Sequence, residues 1–128
     1  MRFDQKSPAR IFEAGLKQKR RIKDCGNIHL EADEQVTFIT ERSSEYDVVR
    51  KEWGFYATPS TNSRLISFGI RACIVRNLDD KLFILLVEKG KENLFYEYIR
   101  EEEAEILFWL DTSNSVSSLK EWINNASR

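Results

Sequence analysis

No stretch of this sequence is apolar for long enough to cross a bilayer. The longest such run is Leu82 to Val87, against the roughly 20 residues a spanning helix needs. The opening Met-Arg-Phe-Asp-Gln-Lys-Ser-Pro carries no secretory apolar segment. Cysteine is scarce: Cys25 and Cys73 cannot build a disulfide framework, which points to a reducing compartment. Together these absences predict a cytoplasmic protein with no membrane partner. Histidine occurs once, as His29, four positions after Cys25 and without a second pair. The spacing of a structural zinc site is therefore missing, and no metal or cofactor is expected. The five glycines are scattered. No glycine-rich phosphate loop, nucleophile elbow, paired-cysteine motif or zinc-protease signature occurs, which removes the enzyme classes recognisable by motif.

What is present is enough for one folded domain. The chain has 128 residues, 41% apolar, with 8 Phe, 4 Tyr and 3 Trp, and a 32% charged fraction that solvates the surface. The net charge of −1 provides no long-range field for nucleic acid or an anionic membrane. It hides a split, however. Through Lys23 there are eight Lys and Arg against two acids, and the remainder carries 12 against 19. The basic run Lys17-Gln-Lys-Arg-Arg-Ile-Lys23 reads either as a solvated face or as a contact for phosphates or for the acidic part of a second protomer. The acidic cluster Glu101-Glu-Glu103 reads as a solvated face.

Residues 1–26 admit two readings. Ser7-Pro8 resembles a helix start, with Ile11, Phe12 and Leu16 on one face, but Gly15 interrupts it, and an extended segment fits as well. From Asn27 the alternation typical of strands sets in. Ile28 and Leu30 alternate with polar neighbours, Ala32-Asp-Glu34 makes a turn, and Val36, Phe38 and Thr40 alternate again, so a hairpin is expected. A third strand is expected from Tyr46 to Phe55, ended by Pro59. The stretch from Ile66 to Val75 reads as one strand, with Ile66, Phe68, Ile70, Ala72 and Ile74 on its buried face. Leu82 to Glu88 is apolar on both faces, as at the centre of a covered sheet. A helix with the stripe Leu94, Phe95, Tyr98 and Ile99 leads to a strand at Ile106–Leu110, implying a βαβ unit with a parallel pair. A final helix, capped within Asp111–Ser115, is expected to bury Val116, Leu119, Trp122 and Ile123. The fold class that results is α+β: a mixed, mainly antiparallel sheet made of a meander and a hairpin, then a βαβ unit and a C-terminal helix, in one domain spanning 1–128.

The chemically loaded stretch is Trp53-Gly-Phe-Tyr-Ala-Thr-Pro-Ser-Thr-Asn-Ser-Arg64. Trp53, Phe55 and Tyr56 cannot all face one way on a strand, so at least one ring should lie outside the core. A ring of that kind stacks on a sugar face or base, Thr58, Ser60 and Asn62 bond its polar edge, and Arg64 or Arg71 holds a phosphate or carboxylate. The competing reading makes the rings a plug at the sheet edge, with Ser, Thr and Asn bonding their own backbone. A second constellation is His29 with Asp24 or Glu31 as acid–base partners and Cys25 as nucleophile; against it stands an ordinary surface histidine. Cys73 lies two positions from Arg71 on the same face, which would favour a thiolate; otherwise it is a small buried side chain.

At Asp24-Cys-Gly-Asn-Ile-His-Leu, Glu34-Gln-Val-Thr-Phe and Trp53-Gly-Phe-Tyr-Ala-Thr-Pro-Ser the chain resembles a group of small uncharacterised bacterial proteins. Their genes lie near those for surface sugars and nonulosonic acids. The likeness covers about residues 20 to 110 and implies no activity. It turns the expected ligand towards a sugar or nucleotide sugar. The leading expectation is thus a non-enzymatic binding or accessory module for such a ligand in surface-polysaccharide metabolism. The alternatives are the small His29 enzyme and a homo-oligomer that docks through its basic N-terminal segment.

Overall fold

The computed structural model of the chain describes residues 1–57, 59–111 and 113–126, with side chains from 117 onward in the last segment. Thr58 and the Val116 side chain, both singled out above, lie outside the described residues. The elements are β1 (Arg2–Ala14), β2 (Arg20–His29), β3 (Gln35–Ile39), β4 (Glu45–Lys51), β5 (Gly54–Ala57), α1 (Arg64–Ser67), β6 (Ile70–Arg76), β7 (Leu82–Glu88), α2 (Glu92–Glu101), β8 (Glu105–Trp109) and α3 (Ser113–Ala126). The class is α+β with antiparallel sheets and a C-terminal helix. No helix among the described residues is long and apolar enough to cross a membrane.

Three sheets divide the strands: β1-β2, β3-β4-β5 and β7-β6-β8. Residues 1–26 take the extended reading. β1 pairs with β2 antiparallel, Phe3 opposite Ile28, so the strand around Ile28 pairs backwards and not with Gln35–Thr40 as the hairpin reading had it. The turn after Leu30 explains this. Asp33 takes φ 67° and its N–H donates to Arg50 O at 2.6 Å, which aims β3 onto β4 (Val36 opposite Val48). The expected Tyr46–Phe55 strand is a hairpin: β4 ends at Lys51, which pairs with Gly54 across Glu52 and Trp53.

The expected strand from Ile66 begins instead with a helical turn. The Ser60 carbonyl accepts the N–H groups of Ser63 and Leu65 at 3.3 and 3.0 Å, so α1 forms. Gly69, at φ +89°, then swings the chain into β6, and a Cβ there would meet Ser44 Oγ at 2.6 Å. Ser44 is buried, and the Glu45 N–H to Phe68 O bond ties the second sheet to the third at this corner, while the Lys89 N–H to Gly69 O bond closes the end of the β6–β7 pair.

The core sits on β6. On one face Ile70 and Ala72 pack with Leu65, Tyr46 and Leu110; on the other Cys73 and Val75 pack with Ile99, Phe95, Leu85, Ile106 and Trp109. β6, not β7, is therefore the strand covered on both sides. β7 and β8 each pair antiparallel with it, so they run in the same direction with β6 between them and share no ladder. The crossover of a βαβ unit is kept, but its two strands are not neighbours. β7 is left at the edge, with Leu82, Ile84 and Leu86 exposed. Helix α2 covers one face through Phe95 and Ile99. Trp122 of α3 meets Phe108 on the opposite face with ring centroids 6.1 Å apart, and both Trp122 and Ile123 remain substantially exposed, in contrast to the expected burial.

Candidate functional site

The β4–β5 hairpin puts all three rings of the loaded stretch at the surface. Trp53 stands at the turn and is 71% exposed, while Phe55 and Tyr56 are more than half exposed. Alternation sends them apart: Phe55 lies opposite Arg50, and Tyr56 opposite Val49. Register then builds one polar face on this sheet. Gln35 pairs with Val49 and Thr37 with Asp47, and directly opposed residues share a face, so Gln35, Thr37, Asp47, Val49 and Tyr56 stand together. Pro59 and Arg64 close one side. Gln35, Asp47, Val49, Tyr56, Pro59 and Arg64 line a hollow of about 70 Å3.

Its polar groups are ordered by one another. Thr37 Oγ1 donates to Asp47 Oδ1 at 2.7 Å, and Gln35 Nε2 donates to Thr37 Oγ1 at 3.4 Å. Arg64 is held over the Phe68 ring at 5.4 Å, and its N–H donates to Ser60 Oγ at 3.0 Å. Ser60 thus bonds backbone, as the competing reading of this loop has it, and helps form α1. Asn62 is exposed in the turn before α1. Behind β5, Tyr46 Oη donates to Ala57 O at 3.0 Å, and burial raises the Tyr46 pKa.

Arg71 is not part of this face. Its Nε donates to Asp111 Oδ2 at 2.5 Å, a second nitrogen lies 3.3 Å from Glu92 Oε2, and its guanidinium stacks 3.9 Å from the centroid of Trp109. Two carboxylates and a ring occupy the group expected to hold an anion, and the hydrogen bond it donates to Asp111 is the chief reason its pKa rises. The thiol of Cys73 is fully buried. Desolvation outweighs the nearby Arg71 charge and pushes the thiol up to about 11, so the thiolate reading gives way to a small buried side chain.

The His29 constellation is distributed among other partners. His29 Nε2 lies 2.9 Å from Asp4 Oδ2 across the β1–β2 ladder. Asp24 is held by Lys6 at 2.5 Å and Arg10 at 3.1 Å, and the Lys6 hydrogen bond leads in lowering its pKa. Cys25 is exposed, with Sγ 3.8 Å from Lys23 O. The Glu31 N–H donates to Glu34 Oε1 at 2.8 Å. Among the described residues no three His, Cys, Asp or Glu side chains converge as a metal would require.

The charge split resolves within the chain. Glu102, expected on a solvated face, is 5% exposed. Its carboxylate accepts the N–H groups of Leu16, Lys17 and Gln18 at 3.0, 3.1 and 3.3 Å, and Arg20 at 2.7 Å. The Lys17 N–H leads these bonds in holding the carboxyl down to about 2. Lys17 pairs with Glu103 and Arg20 with Glu101. Gly15 makes the approach possible: at φ +119°, a Cβ there would strike Gln18 O at 2.0 Å. This docking of the β1–β2 tip onto the end of α2 encloses a second hollow of about 370 Å3, walled chiefly by Leu16, Val75, Phe83, Leu85, Tyr98 and Ala104. Sequence reasoning missed it because its walls come from both ends of the chain. It also missed Gln35 and Asp47, which a correct β3–β4 register would have placed beside Tyr56.

Comparison of the chain with known protein families, curated proteins and solved structures finds no match in any of the three.

Proposed function

We propose that the protein is a small, non-catalytic binding module of the cytoplasm that holds a sugar-like or nucleotide-sugar ligand on the polar face of the β3–β5 sheet, as an accessory to surface-polysaccharide metabolism. One observation carries this reading: Gln35, Asp47, Tyr56 and Arg64 surround a single hollow. A carboxylate and an amide bond vicinal hydroxyls, an exposed ring stacks on the apolar face of a pyranose, and a guanidinium meets a carboxylate or phosphate. At about 70 Å3, against the 300–1,000 Å3 typical of enclosing pockets, the hollow admits one ring substituent while the sugar lies across Tyr56. Binding is then shallow and weak. The larger hollow is more apolar and suits a hydroxylated ligand less well. The resemblance of residues 24–30 and 53–60 to proteins encoded near surface-sugar genes supports the ligand class.

The test is an amide chemical-shift titration of labelled protein with a neutral hexose, a nine-carbon acidic sugar and a nucleotide sugar. The acidic ligands should perturb Asp47, Tyr56 and Arg64 more than the hexose does. Tyr56→Ala and Arg64→Ala should each abolish those shifts while leaving the rest of the spectrum in place, since both side chains are exposed. Saturable shifts confined to other residues, or no shifts with any of the three, would refute the proposal.

A further inference from the structure

The larger hollow, about 370 Å3, has apolar walls and a charged end. Its floor is one face of the third sheet. Val75 pairs with Phe83, and the Asn77 N–H donates to Lys81 O at 2.9 Å, so the ladder continues past the end of β6. Alternation along each strand then sets Val75 and Asn77 beside Lys81, Phe83 and Leu85. Tyr98 and Ala104, from α2 and the turn after it, form one wall, and Ala14 to Leu16 at the tip of the β1–β2 ribbon form another. The tip is fixed in advance. Its N–H groups and Arg20 engage the buried Glu102 carboxylate, and the Arg20 guanidinium lies 4.8 Å from the centroid of the Tyr98 ring. Glu102 also lines the hollow, but with its charge compensated in this way. Leu16 and Phe83 are each 45% exposed although they stand on these walls. The charged end is the β6–β7 turn. Asn77 Oδ1 accepts the N–H groups of Asp79 and Lys81, each at 2.9 Å, which leaves its Nδ2 as a donor. Among the described residues neither the Lys81 ammonium nor the Asp79 carboxylate has an ion-pair partner, whereas their neighbour Asp80 lies 3.8 Å from Arg76.

We infer that this hollow is a second ligand site, separate from the polar face of the β3–β5 sheet, and that it takes a small zwitterion with an aromatic or branched aliphatic body, the chemistry of a free apolar amino acid. Three features select that class. The first is size. An apolar cavity of about 150 Å3 suffices for benzene, and ligand pockets start at about 300 Å3, so 370 Å3 holds one ring or branched chain together with a head group. The second is the distribution of polarity. Walls of Leu16, Val75, Phe83, Leu85 and Ala104 offer little to water, while the polar groups gather at one end, which fixes a ligand's orientation. The third is charge. Asp79 and Lys81 are two residues apart in one turn and both line the hollow. A head group carrying ammonium and carboxylate on one carbon meets an opposite charge with each, and Asn77 Nδ2 adds a donor for the carboxylate. A ligand with a single charge meets one of the pair as a like charge. Because Glu102 already holds the ribbon tip in place, binding does not have to order that wall.

Titration of the labelled full chain with L-phenylalanine, followed by amide and methyl chemical shifts, tests this. Saturable shifts are expected at Leu16, Val75, Phe83, Leu85 and Ala104, with Asp47, Tyr56 and Arg64 unmoved, which keeps this site distinct from the sugar site. Phenylpropionate lacks the ammonium and phenylethylamine lacks the carboxylate. Each should bind at least about 10-fold more weakly, the loss expected when a hydrogen bond to a charged group is removed. L-Serine, which has the head group without the apolar body, should not saturate the site. Lys81→Ala should weaken L-phenylalanine by about 10-fold without weakening phenylethylamine, and Asp79→Asn should weaken it without weakening phenylpropionate. Both side chains are exposed, so both variants should fold; should either fail to, the ligand series on the unmodified protein still decides. Equal binding of the three aromatic ligands, tighter binding of either singly charged one, or no saturable shift in the hollow with L-phenylalanine would overturn the inference.

Discussion

Replacing Leu65 by alanine should be far more damaging than its place in a polar-looking loop suggests. Leu65 is fully buried, and among the described residues the apolar ones buried with it are few: Ile70, Ala72, Cys73, Val75, Val87 and Ile99. It packs with Ile70 and Ala72 of β6, with Tyr46 of β4 and with Leu110, so it joins the second sheet to the third. Removing three carbons forfeits about 2.4 kcal/mol of transfer energy at ~0.8 kcal/mol per group. The cavity left between two sheets joined by the Glu45 N–H to Phe68 O hydrogen bond closes only in part, which brings the cost to about 3 kcal/mol. For a chain of this length that lowers the melting temperature by roughly 10 °C. Tyr46 would loosen with it, and with Tyr46 the hydrogen bond to Ala57 that backs β5, so ligand shifts at Tyr56 should weaken as well. The assay is urea and thermal unfolding at one fixed protein concentration, with Leu94→Ala in parallel. Leu94 belongs to the apolar stripe read from sequence but stands 64% exposed, so its change should stay within about 0.5 kcal/mol. Equal losses for the two variants would refute this account of where the core lies.

Two further outcomes follow from the ionisable groups. The Glu102 carboxyl, lowered from 4.5 to about 2 by backbone N–H groups and Arg20, should stabilise the docked β1–β2 tip fully above pH 4.5 and lose that effect as pH falls through 2. Hydrogen exchange at Leu16, Lys17 and Gln18 should rise over that window, and Glu102→Gln should remove most of the pH dependence; protection that is flat across it would count against the role. Of the two thiols, exposed Cys25 should react with a disulfide reagent in the native state and buried Cys73 only after unfolding. Two equally fast thiols would contradict the burial of β6.

Much of the fold was legible because local patterns carry local structure. The alternation around Val36 and Phe38, the apolar run Leu82–Val87, the helical stripe ending at Ile99 and the strand at Ile106 each became the expected element. The fold class followed from their order. Errors arose where partners had to be chosen. Leu82–Val87 is apolar enough for a central strand, but β8 returns to the far side of β6 and leaves it at the edge. Ile66 and Phe68 alternate like strand residues, yet the Ser60 carbonyl and the crowding of Gly69 by Ser44 impose a turn of helix first. In the candidate site, Tyr56 and Arg64 could be read directly, because an aromatic amid hydroxyls is an unusual local composition. Gln35 and Asp47 could not, since only the β3–β4 register sets them beside Tyr56. Arg71 misled because its carboxylates, Glu92 and Asp111, are 21 and 40 residues away.

By itself the chain determined its periodicities: which segments could be strands or helices, where turns fell, and that charge is divided between a basic start and an acidic remainder. Those properties depend on neighbours within a few positions, where side-chain spacing and backbone preference act. Tertiary structure alone decided that β6 holds the centre and β7 the rim, that Glu102 accepts the tip of a ribbon over 80 residues distant, and that the charge imbalance is discharged within one molecule. Each of these turns on which surfaces meet, and burial and pairing energies belong to the meeting surfaces, not to either segment alone.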